Sequence, residues 1–141
     1  MKKMLNCSFA YAIAAMVGGV FFREFTKFNG FTGVTTLGKL HTHLFMLGMV
    51  MFLLAALFSL HLDLEANRKW KAFFVLYNIG VPLTGLMMLL RGVAQVLALP
   101  LSKGMDAALS GVAGIGHILT GVGLVLFLLV LKSSKKLETV S

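Results

Sequence analysis

Four ionisable side chains lie inside the apolar stretches of this chain: His41, His43, Arg91 and His117. Holding such groups in hydrocarbon is costly, so each marks a candidate site. A porphyrin between two helices needs an imidazole from each side and small neighbours that let the ring approach the backbone, so histidines on two apolar runs point to heme iron. Cys7 is the only cysteine, which excludes a CxxC heme-attachment or zinc motif, so the heme expected here is non-covalent heme b. No GxSxG, Walker loop, HExxH or paired intramembrane carboxylates occur, which removes hydrolase and nucleotide-driven chemistry.

Helices must position these residues. With 58% hydrophobic and only 13% charged residues, 141 residues cannot cover a soluble globule with polar surface. The expected partner is the lipid bilayer, and the expected fold class is all-α integral membrane, one domain over 1–141 forming a four-transmembrane-helix bundle. The helices are predicted at about 5–22, 37–60, 70–98 and 107–131 from the length of each apolar run. The first is read as a retained span, because Ala14/Gly18 and Ala15/Gly19 form small-xxx-small pairs suited to close packing. Arg23 to Gly33 is the predicted connector, Thr35 or Thr36 the cap of the second helix, and His61 a loop residue. Trp70 anchors the third helix, where Pro82 predicts a kink near Asn78. A short polar tail follows Lys136, and no internal repeat is evident.

A net charge of +8 would suggest nucleic acid in a soluble protein, but here the cations sit in helix flanks and loops, so no nucleic-acid partner is expected. Lys2, Lys3, Arg68, Lys69, Lys71, Lys132, Lys135 and Lys136 fall on the side of both termini, against Arg23, Lys27, Lys39, Arg91 and Lys103 on the other. The positive-inside rule then predicts both termini in the cytoplasm.

Helical phase assigns roles. His41 shares a face with Gly48 and Ala55, whereas His43 points about 200° away. His117 lies on a stripe with Ser110, Ala113, Gly114, Thr120 and Gly121. The second and fourth helices run in the same direction, so His41 and His117 are the predicted axial ligands of a heme between them, with His43 as the alternative ligand or a distal polar group. Arg91 shares a face with Thr84, Met88 and Gln95, and its planar guanidinium suits a heme propionate; Lys39 and Arg23 are candidates for the same task. A rival reading gives the histidines to copper or zinc, with Met46, Met49, Met87 or Met88 nearby, although HxH on one helix splays its rings apart. Another makes them structural, in a non-catalytic accessory protein.

The segment Leu37-Gly38-Lys39-Leu40-His41-Thr42-His43-Leu44-Phe45-Met46-Leu47-Gly48 resembles the second-helix segment of catalytic subunits in C-type heme-copper oxidases and nitric oxide reductases. That resemblance implies that His41 occupies the position of a low-spin heme b ligand. Phe22-Arg23-Glu24-Phe25, Asn29-Gly30-Phe31-Thr32-Gly33, His41-Thr42-His43 and Gly116-His117 are similar to a family of small bacterial four-helix membrane proteins of unknown function, which implies a bacterial plasma membrane. The function expected is a small membrane b-type heme protein, for electron transfer or for chemistry on a small gas or reactive species, and so a possible heme-dependent oxidoreductase. Quinol or another redox partner is expected, and a homo-oligomer is compatible with the small-residue faces.

Overall fold

Long apolar runs become helices even where they hold glycine, and short polar breaks end them. The computed structural model describes residues 1–136, so the polar tail after Lys136 lies outside the described residues. Four helices are each long and apolar enough to cross a membrane: α1 (Lys2–Phe28), α2 (Leu37–Phe58), α3 (Arg68–Val96) and α4 (Lys103–Ser133). No strand forms among the described residues, apart from an isolated antiparallel bridge between Leu62 and Lys136.

α1 and α4 overrun the predicted bounds at both ends and α3 at its start, whereas α2 ends short of its predicted bound at Phe58 and α3 at Val96. α1 continues through Arg23–Lys27, ordinary helix formers, and stops only at Asn29 and Gly30, where φ reaches +58°. Asn67 caps α3 by accepting from the Lys69 amide at 3.0 Å, and Ser102 caps α4 by accepting from the Met105 amide at 3.2 Å. At the start of α2 the threonines do more than cap. Thr35 Oγ1 accepts from the Leu37 amide at 3.3 Å but also donates to the Gly92 carbonyl at 3.1 Å, and Thr36 Oγ1 donates to the Met88 carbonyl at 2.8 Å, which ties α2 to α3. Pro82 sits inside α3 without dividing it.

α2 changes geometry midway, with a π-helical stretch at Leu44–Val50. Leu40, Leu44, Gly48, Phe52 and Ala56 are all buried although they recur every four residues. In a regular α-helix each such step drifts about 40°, so Ala56 would end on the opposite side from Leu40; the wider turn keeps them in one interface.

α1 packs on α2, α2 on α3 and α3 on α4. The result is a staggered row of four helices. A groove lies between α1 and α3 over α2, and α2 and α4 flank α3, packing on it at Gly85 and Thr84. The tightest seam joins α3 to α4 through Gly80-xxx-Thr84 and Gly116-xxx-Thr120, where a Cβ on Gly80 would stand 2.6 Å from the Thr120 amide nitrogen. An aromatic cluster of Tyr11, Phe52, Trp70, Phe73, Tyr77 and Phe127 fills one end. The Met1 amine reaches Glu65 at 3.7 Å and the Asp63 amide donates to the Lys135 carbonyl at 3.0 Å, so the N-terminus, the α2–α3 loop and the end of α4 share that end, the base. The α1–α2 and α3–α4 connections form the opposite rim.

Candidate functional site

The α2–α4 cleft gathers most of the polar groups singled out above. Thr84 of α3 meets Gly116 on α4, while Gly85, the next residue, meets Leu40 and Leu44 on α2. α3 rises from base to rim, so seen from the rim that one-residue step is counterclockwise, and α2 follows α4 in that sense round α3. α2 and α4 touch near the base, where the rings of Phe58 and Phe127 lie 6.5 Å apart. Among the described residues no hydrogen bond or ring pair joins them nearer the rim, and the cleft opens that way.

His41 does not border this cleft. Its side chain packs on α1, where a Cβ at Gly19 would stand 3.6 Å from the His41 Cβ, and its buried Nδ1 has no partner. His43 is about 200° round α2 from His41 and three residues beyond Leu40, which carries it past the α3 contact to the flank away from α1. That flank borders α4. His117 follows Gly116 by one residue; α4 descends toward the base, so the 100° step is clockwise from the rim and turns the imidazole from α3 toward α2. Contacts of both helices to Thr84 and Gly85 put His43 and His117 level to within about one turn. The pair on the α2–α4 cleft is therefore His43 and His117. The phase relation between His41 and His43 holds as read from sequence, but the flank assigned to His41 belongs to α1, because its glycine stripe receives Tyr11, packed over Gly48.

The two cleft histidines have the same local geometry. His43 Nδ1 lies 3.0 Å from the Lys39 carbonyl and His117 Nδ1 lies 2.8 Å from the Ala113 carbonyl, each four residues back. A carbonyl only accepts, so Nδ1 carries a proton, and in the neutral imidazole Nε2 is the nitrogen that keeps its lone pair. Ligating histidines hold this tautomer when the second nitrogen donates to a backbone carbonyl. Two buried hydroxyl groups have no hydrogen-bond partner, that of Thr84 at the α3–α4 seam and that of Tyr77 in the aromatic cluster.

Cations stand above the pair. Arg91 lies about 10 Å nearer the rim than Thr84. Its Nη2 donates to Asp106 Oδ1 at 2.9 Å, to the Asp106 carbonyl at 3.2 Å and to Ser110 Oγ at 2.8 Å. These bonds use one nitrogen of the guanidinium, and Ser110 lies two turns above His117 on the same stripe. Lys39, one turn above His43, is exposed. Arg23 is on α1, exposed and 3.7 Å from Glu24, outside the cleft. His61 is exposed in the base loop. The Asp106 and Ser110 partners were not anticipated from sequence, because they lie beyond the start assigned to α4 or on a turn whose facing helix was unknown. Of the predicted His117 stripe, Thr120 is buried on α3, while Gly114 and Gly121 face open space. Among the described residues no group of three or more histidines, cysteines or carboxylates comes together as a metal site.

The fold defines a small all-helical protein with four helices long and apolar enough to cross a membrane. The chain belongs to a family described as Protein of unknown function (DUF2871), whose family model matches residues 1–134. No curated protein and no solved structure matches it.

Proposed function

We propose that the chain crosses a bacterial plasma membrane four times and binds non-covalent heme b between His43 and His117, as a small membrane cytochrome. One observation carries this reading. Two imidazoles, on helices that both flank α3, are each held through Nδ1–H to the backbone carbonyl four residues back, which leaves Nε2 of the neutral ring as the free ligand atom on each. In hydrocarbon such acceptors have no water to satisfy them, and an iron between them would do so. Two protein ligands suffice for a heme, whereas a structural zinc takes four, and among the described residues no three histidines, cysteines or carboxylates come together.

When bound, the heme supplies a one-electron redox centre. The chain does the rest. Gly116 and Gly85, bearing on Thr84 and on Leu40 and Leu44, fix the separation of α2 and α4. The carbonyls of Lys39 and Ala113 fix the imidazole tautomers, and Arg91 and Lys39 offer cations toward the rim that would pair with heme propionates. Both termini belong on the cytoplasmic side, since the base collects Lys2, Lys3, Arg68, Lys69, Lys71, Lys132, Lys135 and Lys136. Absorption spectra of protein purified from heme-sufficient cells, oxidised and then reduced, test the reading. A Soret band with a protoheme pyridine hemochrome supports it; colourless protein that takes up no added hemin overturns it.

A further inference from the structure

The second cleft, between α1 and α3, is a groove of about 710 Å³, within the range that encloses a drug-sized ligand. Its walls are made shallow by Ala14 and Gly18 on α1 and by Pro82 and Gly85 on α3, and Leu40 and Leu44 form its floor. From Tyr11 to Phe21 it runs about 15 Å at the helical rise. The lining is apolar except toward the base, where it holds Cys7, Tyr11 and Asn78.

That polar end has unused hydrogen-bonding capacity. Tyr11 Oη donates to Asn78 Oδ1 at 3.2 Å, and Asn78 Nδ2 donates to the Phe74 carbonyl at 2.9 Å. A primary amide has a second N–H, which remains free. Pro82 has no amide hydrogen, so the Asn78 carbonyl loses its helical i+4 donor as well. Asn78 therefore presents a donor and an acceptor side by side, about 10 Å deeper than Lys71. A lipid acyl chain brings only CH₂ groups to that depth. A ring bearing oxygen on an isoprenoid tail fits this pair: a quinol hydroxyl accepts the amide proton and donates to the carbonyl, and a quinone carbonyl accepts the amide proton.

We propose that the α1–α3 groove is a lateral binding site for an isoprenoid quinone, its ring at Asn78 and its tail along Ala14, Gly18 and Gly85 toward the rim. The site rests on its own geometry and not on the heme; only its service as an electron source would depend on that reading.

The test uses the full chain in lipid nanodiscs and a photoreactive azidobenzoquinone with a short prenyl tail, with labelled residues mapped by mass spectrometry. Labelling should concentrate near Tyr11 and Asn78 and be displaced by unlabelled prenylated quinone, but not by a saturated fatty acid of equal length. Asn78→Leu should weaken binding about tenfold, the loss of one hydrogen bond of ordinary strength. Ala14→Phe, which fills the groove without touching the polar end, should abolish it. His43→Ala should leave labelling unchanged, so a failure of the heme reading would not be mistaken for a failure here. Labelling spread evenly over the outward faces, equal displacement by the fatty acid, or insensitivity to Ala14→Phe in folded protein would each overturn the proposal.

Discussion

Substituting Gly80 by alanine tests whether the α3–α4 seam sets the geometry of the site. A Cβ there would stand 2.6 Å from the Thr120 nitrogen, 2.7 Å from Thr120 Oγ1 and 3.0 Å from the Gly116 carbonyl oxygen, where ordinary contact begins at 3.4 Å. Two of those atoms are backbone and cannot turn aside, so the helices must part by about 0.8 Å, a gap that forfeits a quarter to a half of each contact across the seam. The expected destabilisation is about 1–3 kcal/mol, even after the roughly 0.5–1 kcal/mol that alanine gains over glycine in a helix. Gly116→Ala should behave alike, since its Cβ would stand 2.6 Å from Thr84 Oγ1 and 3.0 Å from the Thr84 nitrogen. Gly111→Ala and Gly121→Ala are the controls: nothing lies within 4 Å of either added carbon, so stability should hold or rise slightly. Unfolding of the purified variants in mixed micelles with increasing dodecyl sulfate, followed by circular dichroism, measures the order. Adding Thr120→Ala to Gly80→Ala removes the hydroxyl clash but not the amide clash, so it should rescue only part of the loss. Full rescue, or a Gly80→Ala protein as stable as Gly121→Ala, would refute backbone contact as the determinant.

The remaining predictions concern the cleft and the topology. His43→Ala and His117→Ala should each lose heme or convert it from low to high spin, whereas His41→Ala should keep a low-spin spectrum; electronic absorption and electron paramagnetic resonance decide, and loss on His41→Ala alone would transfer the site to the α1 flank. Arg91→Ala should keep axial ligation but release heme more readily to apomyoglobin, by about 1–3 kcal/mol for one charge-assisted bond in a partly dry site. An unchanged release rate would remove Arg91 from the propionate role. In a Cys7→Ser background, cysteines at Ser134 and Asn29 should react with an impermeant maleimide from opposite sides of the membrane; labelling of both from outside would reject the four-span topology.

The architecture was legible because apolar run length is a strong signal, and four runs gave four helices. Their ends were less so. The cap at Ser102 and the continuation through Arg23–Lys27 depend on a few tenths of a kcal/mol per residue, which hydropathy does not register. The π-helical stretch left a trace in the four-residue recurrence of Leu40, Leu44, Gly48, Phe52 and Ala56, but a constant 100° step cannot interpret that recurrence. Likewise Gly80-xxx-Thr84 and Gly116-xxx-Thr120 were present as a repeated pattern, and its meaning as one antiparallel crossing appears only when the two helices are placed together.

The choice between His41 and His43 shows what a glycine beside a histidine does and does not imply. Gly48, on the face of His41, was suited on paper to let a flat ring approach the α2 backbone, and Gly19 to close packing of α1; both accept close neighbours, Tyr11 over Gly48 and His41 over Gly19. The space those glycines vacate is filled by the chain itself, so it is lost to any ligand. A cofactor needs the reverse arrangement, a pair of donors on flanks that no helix covers, backed by a seam tight enough to fix their separation. His43 and His117 meet that condition: both project beyond the contacts made through Thr84 and Gly85. Both also have Nδ1 already committed to the backbone, while the buried Nδ1 of His41 has no partner to set its tautomer. The free face of each helix, rather than its small-residue face, is therefore where the search for a ligand in such a staggered row should begin.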